Sequence, residues 1–465
     1  MISFMKKIFG LIFNRFRKMS PATLLLLSFI GAITFGAILL MLPFSTVSGN
    51  IKFIDALFTS TSAVCVTGLI VVDTGTYFTL PGQLIILALI QLGGLGIMTV
   101  SVLLFQFLGK IISFRYRMAM QETFAHTPRK DIYRLIKSIF IFTFLVEAAG
   151  VFFLFLYWHK EYSVTKALYI SLFHSVSAFC NAGFSLFENS LMNYPDSLLL
   201  NFTICGLIVL GGIGFPVVYE IYNIHSKKKA GKRTKVSVQT KSVLITTLIL
   251  IISGTLFFFF LEQNYSLKGF SFTSSFLPSL FQSITARTAG FNTIDFSQLG
   301  NATVSLIIFL MFIGASPGSC GGGIKTTTLF VLFSLVKNRL RGNNRVNAFR
   351  KSLGEGSISK SISILLISIS FITLVFFLLL LTDQLGSRAT ENAFMYRSYL
   401  FEVVSAFGTV GLSMGATNLL NGTGKLLIIF TMLIGRVGIL TFSYVLAGTK
   451  GLGGLEYAEE NIMVG

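Results

Sequence analysis

Charge is scarce in this chain: Asp, Glu, Lys and Arg together make up 12% of its 465 residues, about half the roughly 25% of an ordinary soluble domain. Such a composition cannot cover a water-facing surface, which excludes a soluble enzyme. Acid is scarcer than base, 18 Asp and Glu against 37 Lys and Arg, for a net charge of +19. Only four cysteines occur, Cys65, Cys180, Cys205 and Cys320, with no CxxC pair and no His/Cys cluster. Neither a disulfide framework nor a zinc site is supported. The four histidines (126, 159, 174 and 225) form no HExxH, and no nucleophile elbow is present, so nothing points to catalysis.

Apolar residues are plentiful: 53% of the chain is hydrophobic and a further 43 residues are glycine. They are spread over nearly the whole length, which argues for one polytopic, all-α membrane domain. Eight runs meet the requirement of about 20 predominantly apolar residues for a spanning helix: 23–43, 82–107, 135–157, 197–222, 242–261, 303–336, 361–382 and 425–447. No small-residue cleavage site follows the run Leu24 to Leu42, so it reads as an uncleaved first helix. The basic residues gather in gaps between runs: five in 1–20, seven in 110–137, seven in 227–241, seven in 337–360 and one at Lys450. These gaps alternate with others poor in Lys and Arg, the positive-inside pattern of a plasma (inner) membrane protein with both termini cytoplasmic. A basic cytoplasmic rim against membrane lipid, with no nucleic acid as partner, explains the net charge. Residues 1–20 interleave Phe, Ile and Leu with Lys and Arg, as an interfacial piece would.

The extracytoplasmic gaps hold four more apolar stretches too short to span, 54–66, 167–180, 274–286 and 396–407. Each ends in a small-residue cluster: Ser62-Ala63-Val64-Cys65-Val66-Thr67-Gly68, Ser177-Ala178-Phe179-Cys180-Asn181-Ala182-Gly183, Thr285-Ala286-Arg287-Thr288-Ala289-Gly290 and Ser405-Ala406-Phe407-Gly408-Thr409-Val410-Gly411. The final glycines lie 115, 107 and 121 residues apart. A second glycine motif follows each inside the next run: Leu92-Gly93-Gly94-Leu95-Gly96, Leu210-Gly211-Gly212-Ile213-Gly214, Ile313-Gly314-Ala315-Ser316-Pro317 and Ile434-Gly435-Arg436-Val437-Gly438. The chain therefore reads as four copies of helix, re-entrant half-helix, helix (M1-P-M2), covering 21–110, 111–225, 226–340 and 341–449, with a cytoplasmic tail at 450–465.

Four such units can close around a pseudo-fourfold pore. Open backbone after a half-helix must line a wet path at membrane depth, and rings of carbonyls replace the hydration shell of a monovalent cation. The ion-facing residues are then Val66, Thr67, Gly68, Asn181, Ala182, Gly183, Thr288, Ala289, Gly290, Thr409, Val410 and Gly411. Five residues beyond three of the glycines stand Asp73, Glu188 and Asp295, where the fourth copy has Ala416. Singly each acid reads as a loop residue or helix cap; their shared offset makes them candidates for an outer-mouth ring that concentrates cations.

The third copy carries Gly314 to Thr328 in the middle of its second run, with five glycines, Pro317 and Lys325. That stretch cannot be continuous helix. The GxxxxGK spacing of a phosphate loop is absent. A flexible intramembrane gate below the filter, built on Gly314, Gly318, Gly321, Gly322, Gly323 and Lys325, is one reading; a packing kink is the other. Arg436 occupies the place of Gly94 and Gly212 in the fourth copy. It is either an electrostatic element of the cation path or a brace against Glu402. Arg287 is expected to pack behind the filter, as are Cys65 and Cys180.

The ordered set of filter glycines, LGGxG helices, the SPGSCGGGIKTTT loop and the arginine of the last helix resembles the Trk/Ktr/HKT superfamily of potassium uptake proteins, over essentially the whole chain. Eight spans, and an ending similar to its tail, place it nearest the Ktr membrane subunit. The resemblance implies potassium uptake through a filter, with sodium as a candidate activator. It further implies a homodimer with one pore per subunit and a separate cytosolic RCK-type regulatory ring. Nucleotide is expected only on that partner, since no dinucleotide fingerprint stands here between a strand and a helix. No other cofactor is expected, nor any metal beyond K+ or Na+. Lys227, Lys228, Lys229, Lys232 and Arg233 are the densest basic cluster for the ring or for anionic lipid. A cation-coupled symporter with alternating access is the competing reading.

Overall fold

The computed structural model describes residues 20–96, 132–229, 235–268, 272–384 and 392–447. The expected interfacial N-terminus, the 110–131 part of the second basic gap, Lys232, Arg233 and the 450–465 tail lie outside these residues.

The first quarter holds α1 (Pro21–Leu40), α2 (Phe53–Val64), the single turn α3 (Thr74–Tyr77) and α4 (Leu80–Leu95). The second holds α5 (Ile132–Trp158), α6 (Val164–Phe179), α7 (Leu198–Ile213) and α8 (Phe215–Lys229). α9 (Val238–Glu262), α10 (Phe272–Thr285), α11 (Asn301–Phe312) and α12 (Thr326–Leu340) form the third; α13 (Glu355–Gln384), α14 (Asn392–Gly408), α15 (Gly422–Val437) and α16 (Ile439–Ala447) form the fourth. Polar caps set the helix starts: Ser20, Thr79, Ser197, Ser237 and Asn421 each accept from a backbone N–H of the first turn. One small departure from an all-α chain is a two-stranded hairpin, β1 (Asn347–Ala348) and β2 (Lys351–Ser352). Its turn residues Phe349 and Arg350 both have positive φ, +52° and +62°.

The helices α1, α5, α9 and α13 are each long and apolar enough to cross a membrane. They turn large apolar side chains outward: Phe35 is 62% exposed, Leu145 67% and Leu248 58%. Surfaces of that kind need hydrocarbon rather than water around them. Within the apolar interior the short helices also bury hydroxyls. Thr59, Ser60, Thr61 and Ser62 of α2 are buried, as are Ser171, Ser175 and Ser177 of α6 and Ser279, Gln282, Ser283 and Thr285 of α10.

The second helix of each quarter differs from the continuous span its composition suggests. α4 ends at Gly96 (φ +82°), α7 at Gly214 (φ +96°) and α15 at Gly438 (φ +93°). α8 leaves α7 at 90°. In the third quarter the residues between α11 and α12 form a loop. An α-helix cannot pass through a residue of positive φ, and only glycine adopts one without cost. The third glycine of the LGGxG motif therefore ends a helix instead of sitting inside one.

A repeated contact holds three of the four short buried helices, α2, α6 and α10, against the long one before it. The Ser60 hydroxyl donates to the Ile33 carbonyl at 2.7 Å, Ser175 to Glu147 at 2.7 Å and Ser283 to Ile251 at 2.9 Å. Three residues after each carbonyl stand Gly36, Gly150 and Gly254, where any Cβ would overlap that serine oxygen. Between the first and fourth quarters, which no chain segment joins directly, Lys425 of α15 pairs with Asp55 of α2 at 2.6 Å. Both side chains are largely buried, so Lys425→Ala is expected to cost roughly 1–3 kcal/mol, between the values for exposed and buried pairs. It should lower the unfolding temperature in detergent, and the Asp55→Asn, Lys425→Ala double variant should fall no further than either single one.

Candidate functional site: a closed ring of backbone with a glycine loop beneath it

The four short helices α2, α6, α10 and α14 end in similar turns. Thr67 N–H bonds back to the Ser62 carbonyl (2.8 Å) and Val66 N–H to Ala63 (3.1 Å). The same pair of bonds recurs as Ala182 to Ser177 and Asn181 to Ala178, and as Val410 to Ser405 and Thr409 to Ala406. This is the Schellman closure, whose left-handed residue is usually glycine. Here it is Val66 (φ +56°), Asn181 (+59°) and Thr409 (+49°), with Thr288 (+81°) in the third copy. β-Branched residues in that region cost of order 1–3 kcal/mol, so the surroundings must enforce it. The third copy is one residue shorter, and its closing bond runs from Ala289 to Thr285 at 2.9 Å. Two residues beyond each left-handed position stands a glycine of positive φ: Gly68 (+91°), Gly183 (+71°), Gly290 (+79°) and Gly411 (+92°).

Side-chain hydroxyls fix these segments from behind. Ser62 accepts from Gly68 N–H (3.0 Å) and Ser405 from Gly411 N–H (3.1 Å). Ser177 donates to the Phe184 carbonyl (2.8 Å) and Thr285 to that of Phe291 (2.6 Å). Cys65 is fully buried, Cys180 Sγ lies against Gly94 and Gln91 of α4, and Arg287 donates to the Thr247 carbonyl of α9 at 3.1 Å, so the last two reach the surrounding helices.

The structure brings all twelve expected ion-facing residues together. A Cβ on Gly68 would overlap the Ala182 carbonyl oxygen; on Gly183, that of Ala289; on Gly290, that of Val410; on Gly411, that of Thr67. The set is cyclic. Each glycine meets the carbonyl one residue before the next copy's glycine, and the fourth copy returns to the first. Such close backbone approach is open to glycine alone.

The LGGxG motifs explain how the short helices reach this position. Gly93, Gly211 and Gly435 lie against the last carbonyls of α2, α6 and α14, those of Val64, Phe179 and Phe407, with no room for a Cβ. In the third copy Gly314 lies instead against its own loop at Gly322.

That loop is pinned, not slack. Ser316 N–H donates to Gly212 (3.1 Å), Cys320 N–H to Gly211 (3.2 Å) and Phe215 N–H to Gly318 (2.9 Å). Gly322 N–H donates to the Thr409 hydroxyl at 2.9 Å, and Gly321 abuts the Thr288 side chain. The loop thus sits against the ring at the end where the short helices stop. Gly318 and Gly323 have φ of +69° and +68°. Lys325 Nζ bonds the Gly321 carbonyl at 2.7 Å and lies 3.4 Å from that of Gly322.

Arg436, in the last turn of α15, donates from Nη1 to the Cys320 carbonyl and from Nη2 to the Gly93 carbonyl. Its partner is therefore not Glu402. That carboxylate takes the hydroxyls of Ser413 and Thr417 in its own quarter. A guanidinium offers donors in a planar fork, which suits two separate carbonyls better than one remote acid.

At the opposite end of the ring, Asp73 caps α3 through Thr76 N–H (2.7 Å), and Asp295 caps the turn Phe296–Gln298 through Ser297 N–H (2.9 Å). Glu188 is exposed. Two of the three acids therefore serve as caps, and all three remain on the segments that leave the ring.

The sequence profile named TrkH and described as a cation transport protein matches residues 14–449. The chain is 38% identical over 444 residues to Ktr system potassium uptake protein B of Vibrio alginolyticus, covering 95% of this chain and 94% of that one. It is 36% identical over 453 residues to the potassium/sodium uptake protein NtpJ of Enterococcus hirae, covering 97% and 98%. The crystal structure of the potassium transporter TrkH from Vibrio parahaemolyticus superposes with a TM-score of 0.65 at 22% identity, over 90% of this chain and 84% of that one. That last likeness speaks to the fold.

Proposed function

The chain belongs to the TrkH family of cation transport proteins, and on that premise we propose that it takes up potassium through the ring of four glycine segments. The observation that carries the proposal is the cyclic set of contacts among Gly68, Gly183, Gly290 and Gly411. Four carbonyls set side by side at membrane depth, with hydrocarbon outside the bundle, are a site for a desolvated monovalent cation. The ends of α2, α6, α10 and α14 aim partial negative charge toward it.

Around this centre the proposal arranges four M1-P-M2 units with eight crossings, the second helix of each unit being broken at its glycine. Both termini face the cytoplasm. Asp73, Glu188 and Asp295 form the outer mouth, where fixed charge raises local cation concentration even while two of them cap helices. The loop 314–328 with Arg436 is the gate. A homodimer and a cytosolic nucleotide-binding ring complete the assembly; relatives named as parts of a Ktr system support the second partner. Sodium enters as a further cation because the Enterococcus relative is named for both ions.

The test is uptake of potassium and sodium by cells that lack their own potassium importers and express the whole chain. Growth at limiting potassium with saturable potassium uptake is expected. Normal membrane expression without uptake, with and without the co-expressed regulatory partner, would overturn the proposal.

A further inference from the structure

We propose that Glu147 is a proton-sensitive positioning residue for the second segment of the ring, acting through Gln91 and Cys180. The proposal rests on the reading of that ring as the potassium path. Glu147 stands midway along the membrane-spanning stretch Ile136–Trp158, and its side chain is buried. Among the described residues no cation pairs with it. Its carboxylate oxygens lie 3.0 and 3.3 Å from Gln91 Nε2, and Gln91 Oε1 accepts from the Cys180 thiol at 3.6 Å. Cys180 caps α6, immediately before left-handed Asn181, and its sulfur fills the space that a Cβ on Gly94 would need.

The four-fold register shows that this polar pair is an addition. Glu147 occupies the place of Ile33 and Ile251, whose carbonyls take the equivalent serine bonds. Gln91, two residues before Gly93, occupies the place of Val209, Phe312 and Leu433. Apolar side chains suffice at both positions elsewhere in the same bundle, so packing does not require the pair. A carboxylate inside a spanning helix without such a need marks function.

The chemistry supplies a two-state device. An ionised carboxylate only accepts, so it holds the NH2 group of Gln91 and turns the amide oxygen to Cys180. A protonated carboxyl has an O–H to donate and draws the amide oxygen toward itself. The amide then turns over and presents NH2 to the sulfur. The Cys180 thiol thereby changes from donor to acceptor at the foot of the Asn181–Gly183 segment.

The neighbouring titratable and charged groups leave this role to Glu147. On α6, Cys180 is part of the chain, His174 is bound to Ile170 and Ser185, and Tyr169 donates to Gln83 near the start of α4. Lys166 lies over the Tyr162 ring at the other end of α6. Cys205 is the only such group on α7, and α4 has none. On α8, Glu220 holds Ser237 and Thr240, while Tyr219 and Tyr222 line a cavity of about 270 Å³ beside Ser138 and Leu145. His225 and Lys228 lie further along α8. Arg436 reaches the same level through the Gly93 and Cys320 carbonyls, and the Cys320 thiol of the loop lies against that of Cys180.

The test is potassium flux through the whole chain in liposomes from about pH 5 to about pH 9, which spans carboxyl titration in proteins. Wild-type flux is expected to change at least about fivefold, the low end of coupling between two sites. Glu147→Gln and Gln91→Val should flatten the profile to within about twofold at normal folding, and Glu147→Ile should fold as Ile33 and Ile251 do. A Glu147→Gln profile that matches wild type, or a flat wild-type profile, would overturn the proposal. A wild type with no flux would instead overturn the path reading. An infrared band of protonated carboxyl, gained on acidification in wild type and missing in Glu147→Gln, then decides for titration, and its absence in wild type decides against.

Discussion

Serine in place of any one of Gly68, Gly183, Gly290 or Gly411 is expected to cost the protein its preference for potassium over sodium. All four glycines have φ between +71° and +92°, where a side chain adds of order 1–2 kcal/mol of strain. Space adds a second penalty, because a Cβ at each would overlap the neighbouring copy's carbonyl oxygen or its adjacent backbone. Those carbonyls are the proposed ion ligands, so relief of the overlap moves a ligand. A displacement costing about 1–3 kcal/mol in one ring position corresponds to roughly 5- to 150-fold in the ratio of affinities. Gly411→Ser should have the largest effect, since the Thr67 oxygen is the nearest of the four and Gly68 closes on it from the other side. Cys65→Ser serves as a control and should retain discrimination to within a few-fold. Competition of sodium against potassium uptake measures the ratio directly. Wild-type competition curves in all four serine variants would refute the filter assignment.

The ring was legible in the sequence because its parts are local. A short apolar helix, a hydroxyl, and a glycine six residues on recur in three copies, and the third copy's missing residue displaces only the spacing. The glycines that admit the helix ends, Gly93, Gly211 and Gly435, were legible as a motif but not in their action. An apolar run reads as continuous helix whether or not its last glycine takes positive φ, so the breaks at Gly96, Gly214 and Gly438 were hidden. Contacts that arise only on ring closure were hidden more deeply. Arg436 meets carbonyls at Gly93 and Cys320, which lie 343 and 116 residues away. Backbone carbonyls leave no residue-type signature, and a search for an acid finds Glu402 instead. The Glu147–Gln91 pair could have been found as two polar residues, one where the first and third copies carry Ile33 and Ile251 and the other where the remaining copies carry Val209, Phe312 and Leu433.

Deleting Gly321 to Gly323 is expected to raise potassium flux and to weaken dependence on a regulatory partner. The deletion removes the backbone that meets Thr288 and Thr409 directly beneath the ring, including the Gly322 bond to the Thr409 hydroxyl. It also removes the Gly321 and Gly322 carbonyls that hold the Lys325 ammonium near the path. Glycine content alone would suggest a loop that moves freely. The bonds to Gly211, Gly212, Phe215, Thr409 and Arg436 argue that it rests in one arrangement and must be released. On the proposed gate, release is the step a partner would control, because α12 follows the loop at Thr326 and ends among basic residues at Lys337 and Arg339. Arg436→Ala should act in the same direction. It takes away two charge-assisted bonds, each worth about 1.5–3 kcal/mol, and a positive charge that repels a cation at that depth. Flux in liposomes should rise about tenfold or more in either variant. Glu402→Ala should leave that ratio unaltered and instead lower the unfolding temperature, since its partners are Ser413 and Thr417. Unchanged flux in the loop deletion, at normal expression and with a normal partner response, would sink the gate.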